Sequence, residues 1–230
     1  MKVLSRKFKN KNQSYVNLIA YNNPASPITE QYRLVRTNIE FSSVDKEIKS
    51  IVVTSPAPAD GKSTTASNLS IVLAQQGKKV LLIDADLRKP SIHYIFRTEN
   101  TKGLTSVLTN KFGIEKAVTK TGISNLSILT SGPIPPNPAE LLNSESMRSI
   151  MQDLKDQFDY LIFDTPPTLS VTDSQVLSNK CDGIVIVISS GKTTIEEAKN
   201  TKKLLSNTGA HLLGVVLNGT ELKKENYNYL

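Results

Sequence analysis

An apolar strand that turns straight into Gly-Lys-Ser constrains this chain more than any other stretch: Ile51 to Thr65 reads IVVTSPAPADGKSTT. The β-branched run favours a strand, Pro56 and Pro58 end it, and a helix begins near Ser63. In such a turn the backbone N–H groups point inward and the helix adds its positive end. Ala59, Asp60, Gly61, Lys62, Ser63 and Thr64 therefore predict a cradle for a di- or triphosphate. Lys62 is placed to reach the β- and γ-phosphates, and the Ser63 hydroxyl to take a position on Mg²⁺. The loop departs from G-x-x-x-x-G-K-[ST] at Pro56, and it carries Ala59 where many such loops carry glycine. If that position needs φ > 0, a Cβ there costs roughly 1–2 kcal/mol.

A length of 230 residues suits one α/β domain with one core. The net charge of +7 and pI near 9.3 point to acidic partners: nucleotide, nucleic acid or an anionic membrane face. The single cysteine, Cys181, rules out an intrachain disulfide framework, and no apolar run approaches the roughly 18 residues of a membrane span. Both features predict a cytoplasmic protein.

Residues 1–28 carry Lys2, Arg6, Lys7, Lys9 and Lys11 with little periodicity and read as a basic N-terminal arm. A helix is expected from Thr29 as N-cap, with Tyr32, Val35 and Ile39 on its apolar face. Glu30, Arg33 and Arg36 recur every third residue, either as a surface ion pair or as a self-complementary seam between subunits. From Ser50 strands and helices alternate: strand 50–54, helix 63–76 stopped by Gly77, strand 79–83, and later strands 126–130, 160–163, 183–189 and 212–217. SGPIPPNPAELL reads as a rigid connector leading into a helix at Asn137-Pro138. The pattern predicts a single P-loop-type α/β domain, 29–222, with a mainly parallel sheet and helices on both faces. A tyrosine-bearing tail, 223–230, follows. His93, His211 and Cys181 lack metal-ligand spacing and read as structural.

Three acidic strand ends, Asp84, Asp86 and Asp164, are expected to meet Lys62 and Ser63. Mg²⁺ would be held by Ser63 and one or two of the carboxylates, and a remaining one, assigned as Asp84, would accept the proton of an attacking hydroxyl. Arg88 and Lys89 could balance the carboxylates or meet phosphate.

At this point the chain resembles the bacterial tyrosine kinases of capsular and exopolysaccharide production, in their stand-alone cytosolic form. The resemblance rests on TEQYRLVRTNI, PADGKSTT, LLIDADLRKP, GPIPPNPAELL, YLIFDTPP and a C-terminal tyrosine tail, in that order. It implies ATP and Mg²⁺ at Lys62, Ser63, Thr64, Asp86 and Asp164, Asp84 as base, and a ring built through Glu30, Arg33 and Arg36. It also implies autophosphorylation in trans at Tyr227 and Tyr229, a transmembrane co-polymerase-type activator at the inner face of the membrane, and a cognate tyrosine phosphatase. No nucleic acid is expected. Partition and septum-site ATPases share such a fold, but they carry a signature lysine where this chain has Ala57, and they lack the tail. A third reading is a non-catalytic ATP-binding scaffold of polysaccharide export.

Overall fold

The computed structural model describes residues 18–42 and 47–220. The basic residues Lys2 to Lys11 and the expected tail with Tyr227 and Tyr229 lie outside the described residues. In chain order the elements begin with α1 (Ile19–Asn22), α2 (Pro27–Ser42), β1 (Ser50–Thr54), α3 (Lys62–Gln75), β2 (Val80–Asp84) and α4 (Ile92–Ile95). There follow α5 (Leu104–Leu108), α6 (Ile114–Ala117), β3 (Thr119–Lys120), β4 (Leu126–Leu129), α7 (Pro138–Asn143) and α8 (Glu145–Gln157). The last are β5 (Tyr160–Asp164), α9 (Asp173–Ser178), β6 (Gly183–Ser189), α10 (Ile195–Ser206) and β7 (His211–Asn218).

The strands form one sheet in the order β3-β4-β2-β5-β1-β6-β7, parallel throughout except for the short β3 against β4. β1, β2 and β5 are buried along their whole length, which is why they read as continuous apolar runs rather than alternating ones. Side chains still alternate between faces. Ile51, Val53, Leu82 and Ile162 pack with Leu69, Val72 and Leu73 of α3 and with Tyr32 and Ile39 of α2. Val52, Leu81, Leu161 and Phe163 pack with Leu142, with Met147, Met151 and Leu154 of α8, and with Leu177 and Leu205. Each such side chain contributes about 1.5–3 kcal/mol on burial. These two layers hold the central strands rigid, and with them the loops at the strand ends.

The helix starts follow local chemistry. Ser144 Oγ accepts from Met147 N–H at 3.2 Å to cap α8. Thr194 and Glu197 form a reciprocal capping box on α10. Pro138 occupies the first turn of α7, where a missing N–H costs nothing.

Two expectations need correction. Thr29 is not the N-cap of α2, which starts at Pro27 with Ser26 Oγ accepting from Ile28 N–H at 3.2 Å. Thr29 is instead buried and donates to Asn23 O at 2.8 Å. Residues 18–28, assigned to the arm, pack on the domain: Ala20 is fully buried, its N–H donates to Asn68 Oδ1 and its carbonyl accepts from Gln75 Nε2, both at 2.9 Å. The apolar Leu18-Ile19-Ala20 run is too short for periodicity to register. For the same reason α1, α4, β3 and α9 escape the sequence pattern, none being longer than 6 residues.

Candidate active site

β2, β5 and β1 lie side by side, and their registers align Asp84 with Asp164 and Val53 with Asp164. The strand ends therefore meet at the edge where the loop between β1 and α3 begins, the place where open α/β sheets take ligands. Gly61 adopts φ 97 and lies against Asn218, whose Nδ2 would stand 2.2 Å from an added Cβ; only glycine fits. Ala59 adopts φ 64, so the strain expected for a Cβ in this conformation is present.

Lys62 Nζ donates to Asp86 Oδ2 at 3.0 Å and to Ser63 Oγ at 3.3 Å, and stands 3.7 Å from Asp164 Oδ1. Burial alone would lower the Lys62 pKa; the Asp164 and Asp86 carboxylates outweigh it and leave the ammonium firmly charged. Asp84 Oδ2 accepts from the N–H groups of Ser91 and Ile92, each at 2.9 Å. Burial first, and then the Asp164 carboxylate, pushes the Asp84 pKa up to about 8 against the pull of those amides. Asp164 is also raised, again mainly by burial, with Lys62 opposing. Three buried carboxylates thus share one buried ammonium. Asp84 Oδ1 and both oxygens of Asp164 have no hydrogen-bond partner. Buried acceptors without donors, beside a hydroxyl and an excess of negative charge, are the donor set that a hard divalent cation satisfies. Among the described residues, no group of three or more His, Cys, Asp or Glu could hold a metal unaided. Mg²⁺ takes one or two carboxylates and completes its shell with phosphate and water.

A cavity of about 320 Å³ opens over this cluster, lined by Ala59, Lys62, Ser63, Asp86, Lys89 and Pro166 among others. The structure therefore brings Ala59, Asp60, Gly61, Lys62, Ser63, Asp84, Asp86 and Asp164 to one strand edge, with Thr64 in the first turn of α3. Arg88 is committed elsewhere, forking onto Asp173 at 2.9 and 3.0 Å, and the Lys89 N–H donates to Asp86 Oδ1. Asp173 and the two amides that hold Asp84 were not legible beforehand, since main-chain donors carry no sequence signature. Neither were Lys192 and Asn218, which touch the phosphate loop from 134 and 158 residues away along the chain.

Glu30 and Arg33 form an exposed pair at 2.8 Å, but Arg36 does not stay with them. It turns inward and donates to Val72 O at 3.1 Å. Cys181 is buried, which pushes its thiol up to about 12 and keeps it protonated. His93 is lowered by burial.

The parallel sheet, the glycine-lysine-serine loop after its central strand and the acidic neighbouring strand ends define a P-loop nucleoside-triphosphatase-like domain. The AAA domain family matches residues 48–209. The chain is 55% identical over 214 residues to the tyrosine-protein kinase YwqD of Bacillus subtilis, covering 93% of this chain and 90% of that one. It is 36% identical to the tyrosine-protein kinase CpsD of Streptococcus agalactiae, covering 84% and 83%. Among solved structures it matches the chimerical protein CapA2B2 with TM-score 0.85 and 45% identity, over 87% of this chain and 88% of that one. The kinase domain of the Escherichia coli tyrosine kinase ETK matches with TM-score 0.86 and 32% identity, over 95% and 85%. The chain belongs to the capsule-type family of bacterial tyrosine kinases. A septum-site protein of Pyrococcus horikoshii shares the fold at TM-score 0.64 with 22% identity; the identities to named tyrosine kinases do not favour the partition-type alternative.

Proposed function

We propose that this chain is an ATP- and Mg²⁺-dependent tyrosine autokinase that controls capsular or exopolysaccharide synthesis by phosphorylating its tail in trans. The observation that carries this is the Lys62 ammonium, held 3.0 Å from Asp86 and 3.7 Å from Asp164 at the mouth of the phosphate loop. The amides of residues 59–64 and Lys62 would bind and orient the triphosphate. Ser63, Asp86 and Asp164 would hold Mg²⁺, which neutralises charge on the transferring phosphoryl group when bound. Asp84 takes the proton from the tyrosine hydroxyl; that oxygen bonds the γ-phosphorus as the bond to the bridging oxygen breaks and ADP leaves. Pro166 and Pro167 wall the cavity with rigid apolar surface and limit water at the reacting atoms.

Glu30 and Arg33, exposed on α2, are the surface through which copies would assemble into a ring. The tail tyrosines 227 and 229 of one copy would enter the site of the next. A co-polymerase-type membrane protein would activate the kinase at the inner face of the membrane, and a tyrosine phosphatase would reverse it. Among the described residues no helix is long and apolar enough to cross a membrane.

The test is incubation of the full chain with γ-labelled ATP and Mg²⁺, with and without an activator's cytosolic segment, followed by mapping of label. Wild type should carry label on tyrosine, and Lys62→Met should carry essentially none while keeping its fold, since it removes a charge matched to phosphate. Undiminished tyrosine labelling in folded Lys62→Met would reject the assignment; phosphate release without tyrosine label would select the ATPase reading.

A further inference from the structure

The phosphate loop is gripped from the other side of β1 by residues that follow β6 and end β7. Lys192 Nζ donates to Pro58 O at 2.7 Å and stands 3.5 Å from Asp60 Oδ1. These contacts fall on the two neighbours of Ala59, the residue held at φ 64. Asp60 is fully buried; its Oδ2 accepts from Ala57 N–H at 2.9 Å and its carbonyl from Asn218 Nδ2 at 3.0 Å. Lys192 is itself placed by a tight loop. Its N–H and that of Thr193 donate to Ser189 O, Ser189 N–H donates to Thr193 Oγ1, and Ser190 N–H donates to Asn218 O at 2.7 Å. Asn218 therefore holds the Lys192 loop through its carbonyl and the phosphate loop through its side chain.

We propose that Lys192, braced by Asn218, is a positioning residue for nucleotide binding, and this rests on the nucleotide-binding reading above. A non-glycine residue in the left-handed region persists only where its surroundings over-determine it. Here the Pro58–Ala59 peptide unit is tied to the Lys192 ammonium, and the Asp60–Gly61 unit, one residue further on, is tied to Asn218. The clamp does what a glycine at 59 would do by itself. Lys192 has a second effect. Asp60 places a buried carboxylate inside a loop built for anions, and the Lys192 ammonium beside it offsets the repulsion that an incoming phosphate would meet. The Lys192 side chain is 51% exposed, so it holds no core together and its role lies in the loop.

The experiment measures Mg·ADP binding by calorimetry, ATP kinetics and apo melting for the full-length wild type, Lys192→Met, Ala59→Gly and the double variant. Lys192→Met should weaken Mg·ADP by about 5- to 30-fold and raise KM for ATP, with kcat at saturation and apo melting little changed. Measured in an Ala59→Gly parent, the loss of affinity caused by Lys192→Met should be several-fold smaller than in wild type. Wild-type affinity in Lys192→Met overturns the clamp, as does an equal loss in the Ala59→Gly parent. A wild type that binds no Mg·ADP overturns the nucleotide reading itself, and is told apart by failing before any substitution is made.

Discussion

Asp84 is the residue at which burial and chemistry meet. Its folded pKa of about 8 stands far above the 3.8 of an ordinary aspartate, chiefly because no water reaches it and secondly because Asp164 is its neighbour. For an acid raised on folding, the native state binds more protons than the unfolded chain between the two values. Asp84 therefore adds nothing unfavourable below about pH 4, and costs stability progressively as pH rises towards about 8. Asp84→Asn should melt at a higher temperature than wild type at pH 8 in the nucleotide-free state, with the gap closing by about pH 4. Equal melting differences at both pH values would mean that Asp84 ionises freely in the native protein. The same substitution should remove phosphotransfer while sparing nucleotide affinity, whereas Asp164→Asn should weaken the Mg²⁺-dependent part of binding. Matching losses of affinity in the two variants would show that the carboxylates do not divide the work in this way.

At the scale of the element, α2 separates two arginines that the sequence places on one face. Arg33 forms an exposed i,i+3 pair with Glu30, worth a few tenths of a kcal/mol, and an exposed hydrogen bond to Pro24 O at 2.9 Å, where water competes, so its loss should cost less than that of Arg36. Arg36 makes a charged hydrogen bond to the Val72 carbonyl of α3, an interaction worth about 1.5–3 kcal/mol. Arg33→Ala should shift an oligomer towards monomer in light scattering, with a smaller fall in urea midpoint than Arg36→Ala. Arg36→Ala should lower that midpoint. An Arg33→Ala protein that keeps its wild-type oligomeric mass would reduce the pair to a surface contact within one subunit.

For the whole molecule the question is which hydroxyl can reach the site. Tyr32 and Tyr160 are each 8% exposed and locked in the core, while Tyr21 at 51% and Tyr94 at 67% stand in the open. Tyr94, on the single-turn helix α4, was not among the acceptors that the sequence suggested. Changing Tyr227 and Tyr229 together to Phe should remove most incorporated phosphate and hold the oligomer against ATP-driven dissociation. Each phosphate adds about −1.5 to −2 charges and would be repelled by the Asp84, Asp86 and Asp164 cluster. Label retained on Tyr21 or Tyr94 at wild-type levels would move the acceptor off the tail.

By itself the sequence determined the parallel sheet, because buried strands must be apolar on both faces, and it determined the phosphate loop, because Gly61-Lys62-Ser63 after a β-branched strand has few other uses. It also marked Asp84, Asp86 and Asp164, since acidic residues ending apolar strands are conspicuous. Only the tertiary structure decided what surrounds them. The fork of Arg88 on Asp173, the inward turn of Arg36, and the reach of Lys192 and Asn218 to the phosphate loop join segments distant in sequence, while the amides of Ser91 and Ile92 fold back on Asp84 through an irregular loop. Many of these contacts involve main-chain atoms. Periodicity and local motifs report only on neighbours along a helix or strand, whereas strand order places β6 beside β1 and β7 beside β6, and so supports the strained Ala59.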